Sequence, residues 1–212
     1  MAITFNTATT NLSSADGTSK TFSHTSDGKP LIVRVSLIGG ATGVTVTYNG
    51  VSVPVKKENT YSTYYYAGLF YLATPASGAN NVVVSWTTSC GSAISAQNIA
   101  GADAPVNEVA AGGNNTTPSV NVTSNASSLV VDCVMWRSNA GGTMTVGAGQ
   151  TENFANVINT GGQYTRHGGS YETGAATTTM SWTVSSTNEW SIVAVSFPVT
   201  AVANTSNFFF MF

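Results

Sequence analysis

The chain has 212 residues, of which 42% are apolar and only 8% are charged. Seven Lys and Arg against nine Asp and Glu give a net charge of −2, which excludes a basic protein that binds nucleic acid by neutralising phosphates. The low charge also excludes a charge-laced coiled coil, whereas 25 Ser, 31 Thr, 21 Gly and 19 Asn are typical of β-strands and tight turns.

Alternating apolar and polar residues predict strands along the chain. In chain order the clearest are residues 31–37, 44–48 and 82–86, which are rich in β-branched and aromatic side chains. Turn pairs such as Asp27-Gly28 and Asn49-Gly50 separate them. No segment of 12 residues carries the apolar stripe of a helix.

An internal repeat is the most informative feature of the sequence. Four segments recur in the same order at offsets of 96 to 100 residues: 30–37 with 128–135, 44–46 with 144–146, 84–87 with 180–183, and 94–96 with 192–194. The repeat predicts two halves, residues 30–111 and 119–198, that each supply about four strands. Residues 112–118, rich in Gly, Asn and Thr, would be the linker.

A four-stranded sheet leaves one apolar face bare, so the two sheets are expected to pack on each other. We therefore predict an all-β fold, a single antiparallel β-sandwich of about eight strands at residues 30–198 with a jelly-roll-like arrangement. In it Val84 and Trp86 would meet Met180 and Trp182 in a shared core. Residues 1–29 would form an arm and a first strand. The alternative is an immunoglobulin-like sandwich pair, although the Cys…Trp…Cys spacing of those domains is absent.

Equivalent positions of the repeat carry opposite charges, Arg34 and Asp132. We expect both on exposed strand faces, where a cross-sheet ion pair would contribute about 0–1 kcal/mol to stability. Cys90 and Cys133 are interpreted as two buried thiols. The alternative is a disulfide, which would close a loop of about 42 residues and could contribute about 4 kcal/mol.

Catalytic and metal-binding motifs are absent from the sequence. The two histidines, His24 and His167, lie 143 positions apart, and no zinc or EF-hand spacing occurs. A calcium ion held by scattered aspartates and carbonyl groups is the alternative. Glycoside hydrolysis needs two carboxylates about 5 to 9.5 Å apart, for which Asp132, Glu172 and Glu189 are the candidates. We predict that the protein is not an enzyme and has no cofactor.

Aromatic residues crowd residues 61–71. Tyr61, Tyr64, Tyr65 and Tyr66 are candidates for a surface that stacks on glycans or contacts a protein, because an exposed tyrosine offers an apolar face with a polar tip. The favoured interpretation is a strand with aromatic residues on both faces, one row of which lies in the core.

The sequence ends in Phe208, Phe209, Phe210, Met211 and Phe212, within a hydrophobic tail at residues 199–212. Left in water, these side chains would form an adhesive patch. We predict that they bind a neighbouring subunit by hydrophobic insertion or strand addition. The alternative is that the tail folds back on its own sandwich.

The strings LIVRVSL, VTVTYNGVSV and TTTMSWT, with others between residues 30 and 198, resemble a β-sandwich module of phage virion proteins and bacterial surface proteins. The resemblance implies an eight-stranded sandwich that serves in assembly or surface attachment. The matching motifs contain strand and turn patterns and no catalytic residues.

We therefore expect a non-enzymatic structural protein of the virion, assembled in the host cytoplasm: a capsid decoration (cement) protein or a head or tail fibre component. Its partners would be other copies of itself and a major capsid or tail protein. The first residues show no secretory signal, and no apolar run is long enough for a membrane-spanning helix. The alternative is a carbohydrate-binding or adhesive module of a secreted bacterial protein, located outside the cell or on its surface.

Overall fold

The fold is all-β and antiparallel, as the sequence predicts. A computed structural model describes residues 2–6, 8–160 and 162–201. Within these residues there is no helix, and sixteen strands form antiparallel sheets that pack as sandwiches. The predicted tail residues, Phe208, Phe209, Phe210, Met211 and Phe212, lie outside the described residues.

Eight strands belong to each half of the chain. Those of the first half are β1 (Thr4–Phe5), β2 (Thr9–Ser26), β3 (Leu31–Ile38), β4 (Thr45–Tyr48), β5 (Val51–Ser52), β6 (Val55–Tyr61), β7 (Tyr65–Leu72) and β8 (Gly78–Ala100). Those of the second half are β9 (Val106–Asn115), β10 (Ser119–Thr123), β11 (Leu129–Ser138), β12 (Met144–Val146), β13 (Thr151–Thr160), β14 (Gln163–Thr173), β15 (Thr177–Val184) and β16 (Asn188–Phe197).

The two halves share one pattern of strand pairing. In the second half a larger sheet has the order β13-β14-β11-β16-β9, and a smaller sheet has the order β10-β15-β12. The first half repeats both, as β6-β7-β3-β8-β2 and β2-β8-β4, with β5 added at the edge. Each half is thus a jelly-roll-like sandwich of two sheets.

In the first half, long strands join the two layers of the sandwich into one continuous sheet. β8 has 23 residues and runs through both layers beside β2, whose pairing shifts around Gly17. In the second half the equivalent strands are interrupted, β9 from β10 and β15 from β16. Pro118 stands at the first interruption, where its missing N–H cannot continue a ladder.

The predicted shared core of the two halves is wrong. Val84 and Trp86 lie in the core of the first half, whereas Met180 and Trp182 lie in the separate core of the second half. The reason is that each half has two layers of its own to enclose a core. In the first half β2 and β8 run through both layers, and in the second half the layers are two separate sheets. A third core forms where the two larger sheets face each other, from residues that include Ile32, Leu69, Ile99, Val131, Val193 and Phe197.

The predicted linker is strand for more than half of its length. β9 extends to Asn115, and the chain passes between the halves at residues 101–105 instead. Gly112 and Gly113 serve close packing, because a Cβ at these positions would lie 2.6 Å from the Tyr61 ring and 2.7 Å from the Trp190 ring. Glycine here leaves room for a ring from the facing half at Gly112 and for a ring from the neighbouring strand at Gly113, and it does not mark a loop.

Both cysteines are buried, as interpreted from the sequence. Cys90 lies in the core of the first half, and Cys133 lies in the core between the larger sheets. Burial raises the pKa of the Cys133 thiol to about 11, which keeps it protonated at neutral pH.

Candidate functional site

The four candidate tyrosines do not share one exposed face. β7 carries Tyr65 and Tyr66 on opposite faces, and both are buried. Tyr66 lies in the core of the first half, where its hydroxyl donates a hydrogen bond of 2.8 Å to Glu58 Oε2. Tyr61 is half-buried against the cluster that contains Tyr65, and only Tyr64 is exposed, at 40%.

Arg34 is fully buried between the two larger sheets, so the expectation of an exposed face is wrong. The physical reason is that all eight residues of β3 are buried, since the strand has a core on each side. The Arg34 Nε atom donates a hydrogen bond of 3.0 Å to the main-chain oxygen of Asp132, and Nη1 donates one of 3.3 Å to Gln97 Oε1. Burial lowers the pKa of Arg34.

The Asp132 carboxylate is buried on the opposite face of β11, in the second half. Its Oδ1 atom accepts hydrogen bonds from Ser170 N at 2.6 Å and from Ser170 Oγ at 2.9 Å, and Oδ2 accepts one from Trp182 Nε1 at 2.7 Å. Burial raises the pKa of Asp132, and the three donors oppose that shift. The predicted side-chain pair with Arg34 is therefore replaced by a contact to the Asp132 main chain.

Gln150 extends this buried network to the smaller sheet. Its Nε2 atom donates a hydrogen bond of 2.7 Å to Ser170 Oγ, and its Oε1 atom accepts one of 2.7 Å from Ser181 N. The turn at residues 147–150 brings Gln150 to Ser181. It needs glycine at position 147, because a Cβ there would collide with Ser181 Oγ and with Gln150 Oε1. Sequence analysis missed Ser170 and Gln150, and no local motif marks them.

The remaining titratable candidates are dispersed. Glu189 forms a surface ion pair of 3.1 Å with Arg137. Partial burial raises the pKa of Glu172, and full burial lowers the pKa of His167 to about 3. His24 is bonded within the first half, to Thr9 and Asn98. Among the described residues no three His, Cys, Asp or Glu side chains are grouped closely enough to hold a metal ion.

One rim of the molecule exposes apolar side chains on edge strands. β13 is the edge of the larger sheet of the second half, and it lies against β2 of the first half. Leu12 and Val157 are 44% and 46% exposed, and they line one shallow cleft with Ile158 and Asn159. The ten residues of β13 contain one charge, Glu152. An edge with so few charges is open to pairing with another strand.

The opposite rim also exposes apolar side chains, Val55 at 46% on β6 and Val106 at 44% on β9, but its edge strand β6 is more highly charged than β13. There β6 and β9 face each other. β6 corresponds to β13 in the internal repeat, and β9 corresponds to β2, so the two rims are equivalent and the halves are related by an approximate two-fold axis. β6 carries Lys56, Lys57 and Glu58, which discourage pairing with another strand. Asn59 also joins the two layers, since its Nδ2 atom donates a hydrogen bond of 3.0 Å to the main-chain oxygen of Ala111. The β2–β13 rim is thus the more favourable contact surface.

The chain matches no protein-family model, and comparisons with curated proteins and with solved structures find no significant match. In the part of the chain that the structure describes, no helix has the length and apolar character needed to cross a membrane. Function is therefore inferred from the geometry of the described residues.

Proposed function

We propose that the protein is a non-enzymatic structural protein of a virus particle that acts through contacts between subunits. Within the particle it would be a capsid decoration protein or a head or tail fibre component. The observation that carries the proposal is the β2–β13 rim, where Leu12 and Val157 are exposed on strands with few charges. Such an edge adds a strand from a partner through main-chain hydrogen bonds, and its apolar side chains bury against that partner.

The rest of the molecule supports a structural role. The Asp132 carboxylate, one of the three carboxylate candidates of the sequence, is fully buried and accepts three hydrogen bonds, so a substrate in solvent cannot reach it. Three apolar cores hold the four sheet layers together. A pair of packed, weakly charged sandwiches suits a subunit that is held in one position by its neighbours.

The partners of this proposal are other copies of the chain and a major capsid or tail protein. Phe208, Phe209, Phe210, Met211 and Phe212 would supply a second contact through insertion into a neighbour. A truncation after residue 203 tests that contact separately from the rim, because it leaves every residue of the two sandwiches in place.

The direct test is the solution mass of the full chain by light scattering over a range of concentrations. Leu12→Asp and Val157→Asp should each weaken self-association at least about tenfold, because a charge would be buried in the contact. Val51→Asp is the matched control, since Val51 is 54% exposed on β5, in the smaller sheet of the first half. Association unaffected by both rim variants, or a chain monomeric throughout, would contradict the rim as a contact between copies.

An adhesive or carbohydrate-binding surface module is the second candidate. Tyr64 lines a cleft of about 280 Å³ with Ser89, Thr160 and Gln163, whose polar groups suit sugar hydroxyls. Its ring also packs edge-on against Tyr65, with ring centroids 5.4 Å apart. Binding on a glycan array that is lost in Tyr64→Ala would favour this candidate. No binding to any glycan would count against it.

A further inference from the structure

Within the buried network of the second half, the Ser170 hydroxyl lies between the Asp132 carboxylate and the Gln150 carboxamide and bonds to both. Ser170 Oγ donates a hydrogen bond of 2.9 Å to Asp132 Oδ1 and accepts one of 2.7 Å from Gln150 Nε2. Ser170 N and Trp182 Nε1 hold the carboxylate in place from two other directions. A nucleophile beside an oriented base is the arrangement that activates a serine.

The orientation of the Gln150 carboxamide follows from its other partner. Oε1 accepts a hydrogen bond of 2.7 Å from Ser181 N and a longer one of 3.4 Å from Ser181 Oγ. The reverse orientation would set the NH₂ group against a main-chain N–H, which also donates. Since the amide C–N bond is about 1.33 Å and an N–H donor points about 120° away from it, the hydrogen bond of 2.7 Å places the carboxamide carbon about 3.6 Å from Ser170 Oγ, close to the separation of about 3–3.5 Å from which a nucleophile attacks.

We propose that Ser170 and Gln150 become joined by an ester bond in the folded protein, with release of ammonia. Ser170 Oγ forms a bond to the side-chain carbonyl carbon of Gln150 while Asp132 takes the hydroxyl proton. The negative charge on Oε1 is stabilised by Ser181 N–H and O–H. Asp132 then returns the proton to the amide nitrogen, the C–N bond breaks and ammonia leaves. No oxidant or reductant takes part.

The surroundings favour each step. Ser170 and Asp132 are fully buried, so water that would solvate the hydroxyl or hydrolyse the ester is excluded. Burial also makes the Asp132 carboxylate a stronger proton acceptor than a surface carboxylate. Gln150 is only partly buried, which leaves ammonia a route to solvent.

The ester would act as a covalent tie within the second half. It would join β14 of the larger sheet to the turn between β12 and β13, at the position where Gln150 meets the smaller sheet at Ser181. This inference goes beyond the proposed function and does not depend on it. A protein that is monomeric in solution can still carry the ester, and an assembling protein can lack it.

The experiment is the intact mass of the purified full chain under denaturing conditions. The ester predicts a mass about 17 Da below that of the sequence, because one ammonia is lost. Ser170→Ala and Gln150→Ala should each restore the mass of their own sequence. Thr179→Ala is the matched control and should keep the deficit, since Thr179 is exposed on β15 and bonds Asn121 outside the network.

Peptide mapping locates the bond. Trypsin cleaves after Arg137 and Arg166, so Gln150 lies in peptide 138–166 and Ser170 in peptide 167–212. The ester predicts one joined product of these two peptides, which hydroxylamine separates. An intact mass equal to that of the sequence, with the two peptides recovered separately, would overturn the proposal even if the variants fail to fold.

Discussion

Arg34 Nε donates a hydrogen bond of 3.0 Å to the main-chain oxygen of Asp132, a residue 98 positions later and at the equivalent place of the internal repeat. Each residue lies on the central strand of its larger sheet, so the bond joins the two sheets near the middle of their contact. The Asp132 side chain points the other way and bonds Ser170 and Trp182. Equivalent positions thus serve different purposes in the two halves.

Removing Arg34 should destabilise the contact between the halves. Arg34→Ala leaves Gln97 Oε1 and the Asp132 main-chain oxygen without this buried donor and opens a cavity, so we expect a loss of about 3–5 kcal/mol in the free energy of unfolding. Arg137→Ala is the control, because its ion pair with Glu189 is on the surface and contributes about 0–1 kcal/mol. Urea denaturation measures both. Equal losses would show that the buried contacts of Arg34 contribute little.

His167 should make stability depend on pH. Burial lowers its pKa in the folded protein to about 3, whereas an unfolded histidine titrates near about 6.5. The unfolded chain therefore takes up a proton between these values and the folded chain does not. The stability that neutral His167 contributes is present above about pH 6.5 and is lost as the pH falls toward about 3.

The measurement compares urea denaturation of the wild-type protein and His167→Gln. Between about pH 7 and pH 5 the wild type should lose about 2 kcal/mol more than the variant. Glutamine keeps a polar group of similar size near Thr165, which bonds His167 Nε2 at 2.9 Å. Parallel pH profiles for the two proteins would show that His167 is not the group that titrates on unfolding.

A side chain at position 112 should lower the stability of the protein. A Cβ at this position would lie 2.6 Å from Tyr61 Cδ2 and would push the ring that packs between the halves, so Gly112→Ala should cost about 1–3 kcal/mol. Gly141→Ala is the matched control, because its Cβ would meet nothing within 4 Å. Thermal unfolding of the two variants gives the comparison. A Gly112 variant as stable as the Gly141 variant would mean that the Tyr61 ring moves without loss.

The Asn98 side chain joins β8 to the end of β2 and to the loop that follows it. Its Oδ1 atom accepts a hydrogen bond of 3.0 Å from His24 Nε2, and its Nδ2 atom donates to Ser26 Oγ at 2.9 Å and to the Lys29 main-chain oxygen at 2.6 Å. Asn98→Ala leaves these buried groups without their partner, so we expect a loss of about 2–4 kcal/mol by urea denaturation. Asn121→Ala, at an exposed position of β10, should change stability by less than about 0.5 kcal/mol. A loss no larger than that of Asn121→Ala would contradict the role of Asn98.

Strand content and the repeat were predictable because both depend on local pattern. Alternation at residues 31–37 corresponds to β3, and the offset of 98 residues corresponds to the matching position of β11. The number of strands in each half was underestimated, because residues 9–26 lack a strong apolar alternation and yet form β2 beside β8. This segment forms a strand chiefly because its main chain pairs with the long strand β8, and its side-chain pattern contributes less.

The buried network was not predictable from spacing. Asp132, Gln150 and Ser170 lie 18 to 38 positions apart on three different segments, with no motif around them. They meet only because β11 pairs with β14 and because the glycine at position 147 lets the turn approach β15. For the same reason the charges of Arg34 and Asp132 pointed to a surface pair, although both residues are buried.

The amino-acid sequence by itself determined that this protein is built from weakly charged antiparallel strands in two similar halves, because alternation and turn residues act over a few neighbouring positions. Only the tertiary structure decided which faces meet. Each half encloses its own core, and the second apolar face of each larger sheet then has no cover except the other half. That packing buries Arg34 and Cys133 and leaves Leu12 and Val157 exposed on the rim, since burial depends on contacts between segments far apart in the chain.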